Sequence, residues 1–228
     1  MHVALIDHMG TDLTVVNSAR VSFDKESTWR STLPAGKVSG VLLGKDERLI
    51  KYLADHDHFT PFTHCTITMR EEVPLFVARQ RFKHTIGFSY NEVSRRYVDE
   101  PPKFYRPREW RGRADDKKQG SSTTVINIEK PDDTFLNEYE LALKACEWAY
   151  IHLLELGVCP EQARMVLPQS MYTSYYVTGS LYAWARAYNL RSDPNAQQEI
   201  QELAKNWDRI CKYLFPISWK ALTKCSNG

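Results

Sequence analysis

The densest concentration of side chains able to bind or react is ARQRFKHTIGFSYNEVSRRY, residues 78–97. Cations and amides surround a single acid, Glu92. In a helix, Arg79, Gln80 and Lys83 would share one face. In NEVSRRYV, strand alternation would put Glu92, Ser94 and Arg96 on one side, with Asn91, Val93, Arg95 and Tyr97 on the other. Guanidinium forks and a serine hydroxyl suit a phosphate; glutamine and asparagine amides suit the edge of a base or of an isoalloxazine ring. A solvated charged face would need none of Gln80, Asn91 or Ser94. Ser94 has no base beside it in sequence, so binding rather than nucleophilic attack is its expected work.

Two other stretches carry chemistry. EQARMVLPQSMYT and WARAYNLRSDPNAQQEI hold Arg164, Arg186 and Arg191 next to apolar or aromatic residues. Arginines so flanked are costly to bury without an anionic partner. Ion pairs with Glu161 or Glu199 are the plain alternative to a bound anion. HDHFTPFTH offers His56, His58 and His64, ligand types for a metal. Pro61 breaks any helical i, i+4 pairing among them, and no metal is expected.

The elements that must position these residues follow from periodicity. Leu49, Tyr52 and Leu53 mark a helix in DERLIKYLADHDH. HCTITMREE alternates as a strand. PLFVARQRFKH starts a helix at Pro74 that should run to near Gly87, and NEVSRRYV follows as a strand. Residues 106–124 are polar and read as a loop or mobile lid. Leu136, Tyr139, Leu143, Cys146, Tyr150 and Leu153 stripe a helix from Thr134 to Leu156. MYTSYYVT reads as a strand, SLYAWARAYNL as a helix, and a last helix opens at Pro194. Helices set apart from a few strands imply an α/β (α+β mixed) fold, a central mixed sheet flanked by helices in one domain over 1–228.

The bulk numbers narrow the function. With 43% apolar residues in 228, the chain can bury a real core, and a net charge of +2 excludes a nucleic-acid-coating protein. GVLLGKD falls one residue short of a phosphate loop and lacks the Ser/Thr after Lys45. Five widely spaced cysteines suggest neither a disulfide framework nor a zinc knuckle. No signal peptide or apolar span of membrane length is seen, so a cytoplasmic protein is expected, in a host's cytoplasm if the chain is viral.

The chain resembles the flavin-dependent thymidylate synthases. Their motif is Arg-His-Arg followed by Ser-x-Asn-Glu-x-Ser-x-Arg-Tyr, and SYNEVSRRY matches the second half from Ser89 to Tyr97. MGTDLTVVNSARVSF, HFTPFTH, ARMVLPQSMYT and NLRSDPNAQQEI extend the likeness in the family's order over nearly the whole chain. Lys83-His84-Thr85 replaces Arg-His-Arg, with one extra residue before Ser89. Ser180 and Arg186 stand where the family has asparagines, and Asn195 where it has a histidine.

The resemblance implies conversion of dUMP to dTMP, with methylenetetrahydrofolate as carbon donor and NADPH-reduced FAD as hydride source. It implies a homotetramer with active sites at subunit junctions. Gln80, Arg81, Phe82 and Lys83 would meet dUMP from a facing subunit. Glu92, Val93, Ser94, Arg95, Arg96 and Arg164 are further dUMP contacts, and Arg191 would polarise the uracil ring as the catalytic residue. Thr60, Lys83, His84, Thr85, Glu92, Ser180 and Arg186 are the FAD candidates, with Ser22 and His58 behind them. The rival readings are a catalytically inactive homologue and a single-stranded-RNA module. The latter rests on KFYRPREWRGR, which interleaves aromatics with arginines.

Overall fold

The computed structural model describes residues 1–31, 40–98, 100–114, 121–126 and 138–223. Its centre is a four-stranded sheet, in spatial order β1 (His2–Met9), β4 (Thr66–Pro74), β8 (Tyr172–Ser180), β5 (Phe88–Glu92). Every pairing in it is antiparallel, so the expected mixture of strand directions is corrected. Strict alternation builds the two inner strands: Ile67, Met69 and Val73 are fully buried, as is Val177, while Arg70 and Tyr176 face outwards across from each other. Met69 pairs with Val177, and a slip of one residue would turn both to solvent.

Helices cover the inner face. They are α1 (Asp12–Arg20), α2 (Gly44–Asp55), the single turn α3 (Thr60–Thr63), α7 (Leu181–Arg191), α8 (Gln198–Leu214) and α9 (Pro216–Leu222). Helix α8 presents Ile200, Leu203, Ala204, Trp207 and Cys211, all fully buried at helical spacing. Trp184, Trp207 and Trp219 are the bulk of the core. Both carboxylate oxygens of buried Asp12 take backbone N–H groups, from Ile217 at 3.0 Å and Ser218 at 2.9 Å, tying α1 to the start of α9. Strand β1, α1 and α9 carry no counterpart among the sequence-based elements.

Three boundaries differ from expectation. Helix α4 is short, Leu75–Arg81, and stops well before Gly87. The Gln80 and Arg81 carbonyls take i+3 N–H bonds from Lys83 and His84, and the carbonyls of Gln80, Arg81 and His84 also accept side-chain hydrogen bonds from Arg191 and Tyr90, so the chain leaves the i+4 ladder in a tight turn. Strand β5 ends at Glu92: Val93 N–H makes one more bond, to Ser174 O, and the chain then turns away although β8 continues to Tyr172. Helix α8 opens at Gln198, because the Asp193 carboxylate takes the Asn195 N–H at 2.7 Å and folds Pro194 into a turn.

The expected loop 106–124 contains, in its described part, a ribbon of β6 (Trp110–Arg113) and β7 (Ser121–Ile126), bulged between Arg111 and Arg113. The two-residue strands β2 (Arg30–Ser31) and β3 (Gly40–Val41) pair on their own. Helix α5 (Glu138–Glu155) buries Leu143 and Tyr150 as its stripe foretold; Leu136 lies outside the described residues. The helical turn α6 (Pro160–Ala163) follows.

Candidate active site

The SYNEVSRRY run does not form one continuous strand. After Glu92 the chain turns, with Tyr97 N–H bonded to Ser94 O at 3.0 Å and the Ser94 hydroxyl taking the Arg96 N–H at 3.3 Å. The expectation of Glu92, Ser94 and Arg96 on one strand face is therefore corrected. Glu92, Val93, Ser94 and Arg95 line a cleft of about 650 Å³ with Arg164, Arg70 and Lys103. Arg96 pairs with Glu161 at 3.2 Å. Glu92 accepts the Thr173 hydroxyl at 2.6 Å, which fixes its carboxylate at the cleft edge. Arg95 donates to the carbonyls of Glu100 and Pro101, and Arg164 to that of Glu161 at 3.3 Å. Among the described residues neither arginine is paired with a carboxylate, and the lining cations Arg70, Arg95, Lys103 and Arg164 outnumber the acids Glu72, Glu92 and Glu100, which favours an anion between the two arginines.

A second group sits beyond α4. Arg81, expected to touch the nucleotide, is instead in the core: its side chain is fully buried. Its guanidinium lies 4.3 Å from the Phe88 ring centre and 4.8 Å from those of Trp184 and Trp207, with Tyr90 at 5.2 Å. Its charge partner is buried Glu71, 3.4 Å away, which also accepts the Tyr175 hydroxyl at 2.6 Å and the Trp207 indole at 2.8 Å. Phe82 likewise turns inwards, against the rings of Tyr90 and Tyr175. Gln80 and Arg191 line a separate cleft of about 870 Å³. Lys83 and Thr85 are exposed, so the expected shared helical face of Arg79, Gln80 and Lys83 ends with the helix at Arg81.

His84 accepts Arg191 Nε–H at 2.8 Å through Nε2, which requires a neutral ring protonated on Nδ1. Burial first, then the guanidinium groups of Arg191, Arg81 and Arg186, push its pKa down to about 4. Gly87 makes the tight return to β5. Its φ is +78°, and a Cβ there would meet that of Ala183 at 2.9 Å.

The remaining flavin candidates gather around α7. His58 and exposed Arg186 line a cleft of about 410 Å³ in which the rings of Phe59 and Tyr182 lie 5.3 Å apart. Thr60 is exposed beside Phe59. The Ser180 hydroxyl caps α7 by accepting the Ala183 N–H at 3.2 Å. Ser22 lies on an exposed 3-10 turn after α1, outside the lining of that cleft. The other histidines diverge: His56 bonds the Tyr52 carbonyl, and His64 lines a groove beside Met9 and Gly10.

The expected nucleotide set is thus divided within one chain. Glu92 to Arg95 and Arg164 share one cleft, Gln80 and Arg191 another, and Arg81 and Phe82 face the core. Arg70 and Lys103 were missed as lining residues, although Arg70 stands on the outward face of an alternating strand. The stretch KFYRPREWRGR is mostly committed to structure. Phe104 is buried, Arg106 pairs with Glu140 at 2.7 Å, and Arg111 with Glu199 at 2.8 Å. Burial raises the Cys65 thiol to about 12 and the Cys211 thiol well above its usual range, so neither supplies a thiolate.

Comparison with known proteins gives consistent matches. The family described as "Thymidylate synthase complementing protein" matches residues 4–217. The flavin-dependent thymidylate synthase of Thermosipho africanus is 37% identical over 96% of this chain and 90% of its own length. That of Thermotoga neapolitana is 36% identical over 97% and 90%. Among solved structures, the UMP/dUMP methylase PolB from Streptomyces cacaoi bound with 5-Br dUMP superposes with a TM-score of 0.77 at 29% identity, over 96% of this chain and 93% of that one.

Proposed function

The chain belongs to the flavin-dependent thymidylate synthase family, and on that premise we propose how its own residues convert dUMP to dTMP. Methylenetetrahydrofolate is the carbon donor and NADPH the reductant. FAD, when bound, supplies the hydride that completes the methyl group.

The cleft that gathers Glu92, Ser94, Arg95 and Arg164 is the observation that carries the reading. A nucleoside monophosphate needs fixed cations for its phosphate and hydrogen-bonding groups for its sugar and base. Arg95 and Arg164, whose hydrogen-bond partners among the described residues are carbonyls, supply the charge. The Ser94 hydroxyl and the backbone N–H groups of Ser94 and Arg95 add donors. Arg96 assists by holding Glu161, whose carboxylate would otherwise repel the phosphate.

Arg191 stabilises negative charge on the uracil ring as the new bond forms. Its guanidinium is oriented before substrate arrives, so little reorganisation is needed during reaction. Gln80 stands with Arg191 in the second cleft rather than in the Glu92 cleft. The division is resolved if the two groups meet across a subunit junction, which supports the homotetramer and sites made by more than one chain.

The donor set near α7 fits FAD. Arg186, Lys83 and the hydroxyls of Thr60 and Thr85 are exposed cations and donors suited to a pyrophosphate and ribityl chain, and the Phe59–Tyr182 pair offers a planar wall. Arg186 stands where relatives of the motif have a neutral residue, and it restores the charge lost at Thr85. With Cys65 and Cys211 kept as thiols by burial, a flavin route is consistent with the cysteine environments.

The test is direct. Purified protein is expected to carry flavin absorbance and to form dTMP from dUMP, methylenetetrahydrofolate and NADPH, with UMP run beside dUMP. Flavin-loaded protein that forms no dTMP would sink the reading. Light scattering reports the assembly, for which about four times the 26.5 kDa chain mass is expected.

A further inference from the structure

Tyr90 fills the unspecified position of the Ser-x-Asn-Glu run, and nothing in the reaction yet uses it. Its hydroxyl is saturated. It donates to the His84 carbonyl at 2.7 Å, with the Arg81 carbonyl at 3.3 Å, and accepts Arg81 Nη1–H at 2.5 Å. Arg81 cannot drift, being enclosed by rings and held near Glu71. One phenol therefore pins the turn that leaves α4 to a guanidinium enclosed in the core.

That turn has an output. The His84 ring accepts Arg191 Nε–H at 2.8 Å, and the Gln80 carbonyl accepts Arg191 Nη2–H at 3.2 Å. Two acceptors, both on the segment from Gln80 to His84, set the plane of the guanidinium. Arg191 Nη1, for which no described partner exists, is left for the cleft that Arg191 and Gln80 line. Tyr90 stays protonated and able to donate, since burial raises its pKa to about 12.

We propose that Tyr90 is a positioning residue for Arg191, acting through the His84 carbonyl and ring. Removing the hydroxyl frees the turn, and the guanidinium loses its fixed direction towards the substrate ring. The proposal rests on the reading that Arg191 meets the uracil. A Tyr90 that merely fills the core would affect stability and not that direction.

The experiment is a double-mutant cycle on the flavin-loaded protein. Tyr90→Phe keeps the ring that packs on Phe82 and Phe88 and removes only the oxygen. Turnover is expected to fall about tenfold or more, as misplacement of a reacting group does, while FAD affinity stays within about twofold. In an Arg191→Ala background, Tyr90→Phe is expected to cost nothing further, in dTMP formation or in calorimetric dUMP affinity. His84→Gln, whose side-chain oxygen can accept the same N–H, should retain more turnover than His84→Ala. Additive losses in the cycle, or equal losses in FAD and dUMP affinity, would overturn the positioning role. Near-normal turnover and dUMP affinity for Arg191→Ala alone would instead bring down the reading of Arg191, a different result.

Discussion

Arg81 and Arg96 come from one short stretch of sequence and have opposite surroundings. Arg81 is sealed among four aromatic rings with Glu71 as counter-ion, whereas Arg96 is half exposed and touches Glu161 at the surface. The dense run of cations therefore serves two purposes: its first half builds the core that aims Arg191, and its second half forms the rim of a cleft. Charge density in the sequence marks the region. Burial and the neighbouring carboxylate decide what each arginine does.

The comparison breaks first at Arg81. Arg81→Ala leaves Glu71 buried without its cation and is expected to cost about 3–5 kcal/mol of stability, read as a shift in denaturant midpoint. A loss of dUMP affinity with stability intact would mean that Arg81 belongs with the rim after all. Next is Arg191→Ala, expected to keep fold and flavin while dTMP formation drops about 100-fold or more. Near-normal turnover would remove Arg191 from the mechanism.

Arg186→Asn sharpens the flavin side of the comparison. Loss of a charge-assisted bond worth roughly 1.5–3 kcal/mol should loosen FAD by at least tenfold, with dUMP affinity changed far less. Titration of both ligands decides it, and equal losses would place Arg186 elsewhere. The pH response comes next. His84 faces Arg191 and Arg186 from α7 and Arg81 from α4, with Tyr90 on β5 bonded to its carbonyl. Its pKa is about 4 when folded against 6.5 as the ordinary value, so the unfolded chain binds more protons between them. The stability from neutral His84 is complete above pH 6.5 and is lost as pH falls towards 4. Denaturant midpoints at pH 7.5 and 4.5 should converge in His84→Gln; an unchanged acid loss would assign it to other groups. The smallest effect is Arg96→Ala, whose half-exposed ion pair should contribute at most about 1 kcal/mol. A cost approaching that of Arg81→Ala would erase the distinction between the two halves.

Much of the inner scaffold was legible in the sequence. The alternation in HCTITMREE located β4 and the β-branched and aromatic residues of MYTSYYVT located β8, and Ser180 stands at the cap of α7 as a helix start should. The pairing direction was not legible, because each strand records which faces it has and not which neighbour it meets. Strand β1 was overlooked because MHVALIDHM has weak alternation and several exposed residues. The core setting of Arg81 could not be read locally either. Its partners Glu71, Trp184 and Trp207 come from three other elements, and only the folded chain brings them together. The Glu92 cleft was legible in its residues but not in its shape, because a strand signal continued through Ser94 where the turn closed by Tyr97 N–H and Ser94 O carries the chain away from β8.

The bond from Asp12 to Ile217 and Ser218 has a consequence for synthesis. Asp12 leaves the ribosome some 205 residues ahead of its partners. Until then a carboxylate meant for the interior has only water to bind it, and α1 cannot settle against α9. The apolar faces of the first helices thus wait through most of elongation, a window in which chaperones would find them exposed. Closing this contact is left to a segment synthesised long after the helix it holds.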